Sequence, residues 1–279
     1  MTVYPLTFQL GWFSLTGFGL MMMVAFLFAG WAIQLELHRR GLDEEYAADI
    51  IIAAVVGGLV GAKLWYFALT GGSLFTRAGL VWYGGFLGGV LGVMFNSWRK
   101  RVPIPYTADL VAPALALGYA LGRVGCFLVQ DDYGIPTTLP WGLKFPAGLP
   151  ATTVRNLTYW HITFPPGTDP NAVVAVHPTE IYETVIMLAV FAWLWRHRFH
   201  QHAIGWLFAC YLTLAGAERF AIEFLRAKDD RFLGAFTVAQ ATSVGMMLVG
   251  TYFLIRWRSA SAVTEPPPAL MRKAAPASS

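Results

Sequence analysis

Charge is scarce in this chain. Asp, Glu, Lys and Arg together make up 13% of its 279 residues, about half of what a soluble domain of ordinary composition carries. With 56% of the residues hydrophobic and a mean hydropathy of +0.53, one globular core could not hide the apolar surface, because buried volume is bounded by the surface that encloses it. An ordinary soluble domain is excluded. Cysteine is scarcer still: Cys126 and Cys210 stand alone, with no CxxC pair and no Cys/His cluster, so neither a disulfide framework nor a metal site is suggested. The chain also lacks GxSxG, HExxH, a Ser/His/Asp set and a glycine-rich lysine loop, which leaves hydrolase and nucleotide chemistry unsupported. No fixed-period repeat is present, no cofactor is implied, and no basic patch of the kind that binds nucleic acid stands out.

What is abundant is long apolar runs. A helix needs about 20 residues to cross a hydrocarbon layer about 30 Å thick. The sequence predicts seven such spans: Phe13 to Leu35, Ala47 to Leu69, Gly79 to Trp98, Ala108 to Leu128, Glu180 to Trp195, Ile204 to Phe224 and Gly234 to Trp257. The expected fold is therefore an all-α polytopic membrane protein. Only neutral residues precede the first span and no small-residue cleavage site follows it, so it reads as a retained helix and not a signal peptide.

Cytoplasmic connections carry the excess of Lys and Arg. The first, third and fifth connections and the C-terminal stretch hold Arg39, Arg40, Arg99, Lys100, Arg101, Arg196, Arg198, Arg256, Arg258, Arg272 and Lys273; the others hold Arg77, Lys144, Arg155, Arg226, Lys228 and Arg231. This imbalance predicts an external N-terminus and a cytoplasmic C-terminus. The one long connection, rich in Pro, Gly and Thr, then falls outside, and residues 129–176 are expected to form a small extracytoplasmic cap on a transmembrane domain of residues 1–258. The Pro/Ala/Ser-biased residues 259–279 read as a disordered tail.

A charge within a bilayer needs a partner or a task. Lys63, Arg123 and Arg219 fall within the predicted spans, and depth counted at 1.5 Å per residue brings Lys63, Arg123, Arg219, Glu223 and Arg226 to the outer leaflet. The spacing Arg219, Glu223, Arg226 places all three on one helix face. Tyr83, Gly84 and Gly85 begin the third span at that level, as do His177, Glu180, Tyr182 and Glu183 the fifth.

Several of these have plainer readings. Lys63 fits snorkelling to the interface, Arg219 with Glu223 fits a structural ion pair, and His177, Glu180 and Glu183 fit a helix start. The paired glycines fit close helix packing as well as a phosphate cradle. Arg123 resists such accounts, because no acid lies one turn away and it is set between Gly122 and Gly125. A guanidinium fork in the headgroup layer suits a phosphate.

The ordered motifs Gly122-Arg123-Val124-Gly125-Cys126-Phe127, Asp131-Asp132-Tyr133-Gly134, Leu139-Pro140-Trp141-Gly142, His177-Pro178-Thr179-Glu180-Ile181-Tyr182-Glu183 and Arg219-Phe220-Ala221-Ile222-Glu223-Phe224-Leu225-Arg226, with Gln240, resemble the bacterial prolipoprotein diacylglyceryl transferases. The likeness implies a seven-helix plasma-membrane enzyme, its N-terminus outside, that moves the diacylglyceryl group of phosphatidylglycerol onto the lipobox cysteine of a prolipoprotein. It implies catalytic roles for Arg123, Arg219, Tyr83, Asp131 and Glu223. Substrate contacts are implied for Arg123, His177, Glu180, Tyr182, Arg226, Gly84, Gly85 and Gly134.

Four positions depart from the common pattern: Tyr83 where many members have His, Cys126 where GRxGN is usual, Glu180 for Gln, and Phe18 for Tyr. Asp131 also stands where many have Glu. A phenol with a pKa near 10 is a poor base without a neighbouring cation, so the general base is left unassigned. These departures also keep open a non-catalytic lipid- or lipopeptide-binding protein of the same fold.

Overall fold

The computed structural model describes residues 1–11, 13–71, 81–227, 231–233, 236–257 and 266–271, of which 10, 13 and 231–233 by backbone alone. A β-hairpin, β1 Thr7–Leu10 and β2 Phe13–Thr16, precedes helix α1, Gly17–Arg39. There follow α2 Glu45–Thr70, α3 Trp82–Arg99, α4 Ile104–Val129, the short α5 Val154–Tyr159, α6 Thr179–His197 and α7 Trp206–Ile222. A second hairpin, β3 Arg231–Leu233 and β4 Phe236–Thr237, leads into α8 Val238–Trp257.

The long helices fall on the seven predicted segments, and four of them, α1, α2, α4 and α8, are long and apolar enough to cross a membrane. The other three are shorter, and α6 and α7 carry charged residues. Helix boundaries differ from expectation at several ends. The run from Phe13 is extended up to Thr16, whose hydroxyl accepts from the Gly19 amide at 3.2 Å and starts α1 there. Helix α7 stops at Ile222 and tightens into a 3-10 turn over Glu223–Leu225, so Arg226 leaves the helix face predicted for it and adopts an extended backbone, bridged to Gly134. Gly79 and Gly234, the predicted starts of two spans, lie outside the described residues. Most of the predicted tail does too. Residues 266–271 depart from the disorder expected of it: Pro268–Leu270 forms a 3-10 turn, Leu270 is buried, and its carbonyl accepts from the Asp43 amide.

Helix α4 is the centre of the bundle, packed on α1, α6 and α7. Its small residues Ala112, Ala116 and Ala120 let Met187, Leu194 and Leu207 close over them. Asp109 of α4 accepts from the backbone amides of Gly205 and Phe208 at 2.8 and 3.0 Å, neutralising orphan donors at the start of α7. Helices α2 and α3 pack chiefly on each other. A Cβ added at Gly61 would lie 2.3 Å from the Gly84 carbonyl oxygen, and one at Gly88 2.2 Å from that of Gly57, so the two backbones touch where any side chain would part them.

Residues 130–178 form an irregular unit with its own small core of Tyr133, Phe145, Leu157 and Val176. Short bridges hold it together: Pro136 and Leu143 to Val176, and Thr153 to Val173. The chain start joins it, with the Val3 amide on the Lys144 carbonyl at 3.0 Å.

Candidate active site

At one end of the bundle, five segments deliver charged side chains to one place. Arg123 sits in the last two turns of α4, with a side chain 12% exposed. Its two terminal nitrogens take different acids: Nη1 donates to Asp132 Oδ2 at 2.7 Å, and Nη2 to Glu183 Oε1 at 2.5 Å. Neither acid lies one turn away on α4. Asp132 comes from the loop after Gln130, whose left-handed backbone (φ 61°) turns the chain as α4 ends, and Glu183 comes from the second turn of α6.

The pairing continues outward. Arg226 Nη2 donates to Asp132 Oδ1 at 2.5 Å, and its Nε lies 3.8 Å from Glu223 Oε2. Glu223 in turn pairs with Arg219 at 2.6 Å. The chain Glu183, Arg123, Asp132, Arg226, Glu223, Arg219 therefore sets three guanidiniums against three carboxylates. It is neutral as it stands. Tyr119, one turn before Arg123, donates to Glu183 Oε1 at 3.1 Å and lies 5.7 Å under the Arg123 guanidinium.

Further acids surround this chain. Glu180 is fully buried and neither of its carboxylate oxygens takes a hydrogen bond from another residue. Buried Glu218 shares the neighbourhood of Tyr119, whose hydroxyl hydrogen goes to Glu183. Cys126 Sγ, Asp131 and Asp132 bring ligand atoms within 4.8 Å of one another, but Arg123 Nη1 already lies 3.5 Å from that sulfur and 2.7 Å from Asp132.

Backbone fit holds the cluster in register. Gly134 is squeezed between segments: an added Cβ would meet the Leu225 carbonyl at 2.4 Å and His177 Cβ at 2.9 Å. Its amide donates to the His177 carbonyl, and Thr179 Oγ1 to the carbonyl of Asp132 at 2.8 Å. Beside it, the Tyr182 hydroxyl accepts from Trp141 Nε1 at 2.8 Å and lies 3.2 Å from His177 Nδ1. Burial pulls the His177 imidazole below the ordinary histidine value, which keeps it neutral at pH 7. Burial, helped by the nearby Glu180, pushes the Tyr133 phenol well above the ordinary tyrosine range.

Of the residues singled out in the sequence, Arg123, Arg219, Glu223 and Arg226 share one ion-pair network, with Asp131, Glu180, His177, Tyr182 and Gly134 around it. Tyr83 stands apart: it is 52% exposed on α3, its ring edge-on to Trp82, with no hydrogen bond to the cluster among the described residues. Gly84 and Gly85 face α2, where an added Cβ would meet the Gly61 carbonyl at 2.4 Å and Ala62 Cβ at 3.6 Å respectively. Their geometry is accounted for by helix packing. Sequence reasoning passed over Asp132, Glu183, Tyr119 and Glu218 as site residues. The signal available was charge balance, since buried arginines require carboxylates.

Apolar helices of membrane-crossing length, with an arginine–carboxylate cluster at one end of the bundle, define a helical membrane protein. Residues 5–256 match the prolipoprotein diacylglyceryl transferase family. The chain is 31% identical over 262 residues to the phosphatidylglycerol–prolipoprotein diacylglyceryl transferase of Thermosynechococcus vestitus, covering 90% of this chain and 91% of that one. To the enzyme of the same name from Geobacter sulfurreducens it is 30% identical, covering 88% and 92%, and to that from Clostridium tetani 28%, covering 89% and 95%. This chain belongs to the prolipoprotein diacylglyceryl transferase family, a family of transferases.

Proposed function

We propose that this chain transfers the diacylglyceryl group of phosphatidylglycerol to the lipobox cysteine thiol of prolipoproteins, releasing glycerol 1-phosphate. In this reading all seven long helices span the bacterial plasma membrane, with the N-terminus and the cap of residues 129–176 outside and the C-terminal tail in the cytoplasm. The observation that carries it is the position of Asp132, one oxygen on Arg123 and the other on Arg226. A phosphodiester offers two non-bridging oxygens in the same arrangement. The lipid phosphate displaces Asp132 and takes both guanidiniums, each at its planar fork.

The thiolate then attacks the glyceryl carbon that bears the phosphoester. A sulfur–carbon bond forms, the carbon–oxygen bond breaks, and the electron pair leaves on glycerol 1-phosphate, where Arg123 and Arg226 hold the developing charge. Arg219 and Glu223 keep Arg226 in place. The polar edge of His177, Tyr182 and Trp141 offers partners to the glycerol hydroxyls.

The thiol proton needs an acceptor. Compared with the common family pattern, this chain has Tyr83 in place of His and Glu180 in place of Gln, giving up an imidazole that titrates near neutrality and gaining a carboxylate. Glu180 is buried, with neither oxygen bonded to another described residue, and we assign it the proton.

That Tyr83 makes no hydrogen bond to the cluster among the described residues favours one other reading, a protein of this fold that binds lipid or lipopeptide without catalysis. Complementation separates the two. In a strain depleted of its own transferase, the wild-type chain restores growth and shifts a model prolipoprotein to its lipidated form, Arg123→Ala abolishes the shift, and Arg123→Lys recovers little of it. Correctly inserted wild-type protein that binds phosphatidylglycerol but modifies no prolipoprotein establishes the non-catalytic reading instead.

A further inference from the structure

The opposite end of the bundle holds a second arginine cluster that the transfer reaction does not use. Glu36, in the last turn of α1, is 4% exposed. Three guanidiniums converge on it. Arg39 Nε donates to Oε2 at 2.8 Å and its Nη2 to Oε1; Arg40 Nε donates to Oε1 at 2.6 Å; and Arg198, just past α6, brings its Nε to 3.3 Å from Oε2.

One carboxylate cannot serve three such groups. Each guanidinium carries five N–H donors, and among the described residues a single negative charge leaves two positive charges over. Arg198 shows the shortfall directly: its Nε and Nη1 are both buried, and neither makes a hydrogen bond among the described residues. Its guanidinium lies 3.6 Å over the Trp195 ring and 4.9 Å from that of Phe199, which Arg39 also covers at 4.5 Å. The aromatic floor fixes the forks in place without satisfying their hydrogens. Phe199 is itself 59% exposed, so the cluster opens at an apolar rim. The contrast with the Arg123 network, where three arginines meet three carboxylates, makes the imbalance specific to this end.

We propose that Arg39, Arg40 and Arg198 form a binding site for the phosphate of an anionic phospholipid in the leaflet opposite the active site. A phosphate supplies the missing negative charge and accepts from the partly exposed N–H groups of the three guanidiniums that Glu36 leaves over, while the acyl chains lie on the apolar rim. Basic pockets between membrane helices attract anionic headgroups in this manner. A free phosphate shares the headgroup chemistry but would leave the rim unused. The inference requires only that the helices cross a bilayer, and it stands apart from the transferase reading.

Phosphatidylserine serves as the probe, titrated against phosphatidylcholine on the purified full chain and followed by native mass spectrometry. The wild type is expected to retain one tightly held phosphatidylserine, which the double variant Arg39→Gln/Arg198→Gln binds roughly tenfold more weakly. Arg198→Lys, which keeps the charge and loses the fork, falls between. Should the double variant fail to fold, as judged by thermal melting, Arg198→Lys alone carries the test. Binding unchanged in the variants that fold, or equal retention of phosphatidylcholine, overturns the proposal. Displacement of the lipid by millimolar inorganic phosphate identifies free phosphate as the ligand and overturns the lipid assignment.

Discussion

Asp132 stands between Arg123 and Arg226 with one carboxylate oxygen on each guanidinium, at 2.7 and 2.5 Å. In the proposed reaction it competes with the lipid phosphate for both guanidiniums. Replacing it with Asn removes the negative charge, keeps the shape and leaves the two cations under-neutralised. Asp132→Asn is therefore expected to lower KM for phosphatidylglycerol by roughly tenfold, since hydrogen bonds to an ionised partner are about twice as strong as neutral ones. Asp132→Glu restores the wild-type value. A KM that is unchanged or raised in a folded Asn variant shows that Asp132 only braces the arginines.

If Glu180 accepts the thiol proton, Glu180→Gln removes the base and keeps the volume. The expected outcome is a fall in kcat of about 10²- to 10⁴-fold with little change in KM, and loss of the acidic limb of the pH–rate profile. A fully active Gln variant places the base elsewhere.

The α2–α3 contact makes a prediction about stability. Gly61→Ala pushes a Cβ to 2.3 Å from the Gly84 carbonyl oxygen, and such overpacking costs about 1–3 kcal/mol, read as a lower melting temperature in detergent. Gly118→Ala is the control. Nothing lies within 4 Å of its added Cβ, so the better helix propensity of alanine leaves the melting temperature equal or higher.

His177 carries a pH dependence. Its folded pKa is lowered from the model-peptide value of about 6.5, so the unfolded chain takes up the proton first as pH falls. Its contribution to stability is complete above pH 6.5 and is lost as pH drops through the lower, folded value. The melting temperature is expected to decline between pH 7 and pH 5, and to decline less in His177→Gln.

The helices were legible because apolar runs of membrane length have few alternative explanations. The hairpin before α1 was not, since Phe13 and Leu15 read as the start of the apolar span and only the Thr16 cap sets them apart from the helix. The arginines were legible as charges out of place. Their partners were harder to read: Asp131 and Asp132 are neighbours, and the turn at Gln130 decides which of them faces Arg123. Glu180 and Glu183 are both fully buried on adjacent turns of α6, and the approach of α4 gives Arg123 to the second. Such selections depend on distances between segments far apart in the chain, which local pattern does not encode.

The turn at Pro268–Leu270 ties the far end of the polypeptide to the short link between its first two helices, with Leu270 among Leu37, Leu42 and Tyr46. Shortening the protein at Ser259 would thus strip a plug from the lower bundle and leave a greasy dent there. Reporter fusions and affinity handles belong after Met271, where they leave that stopper seated.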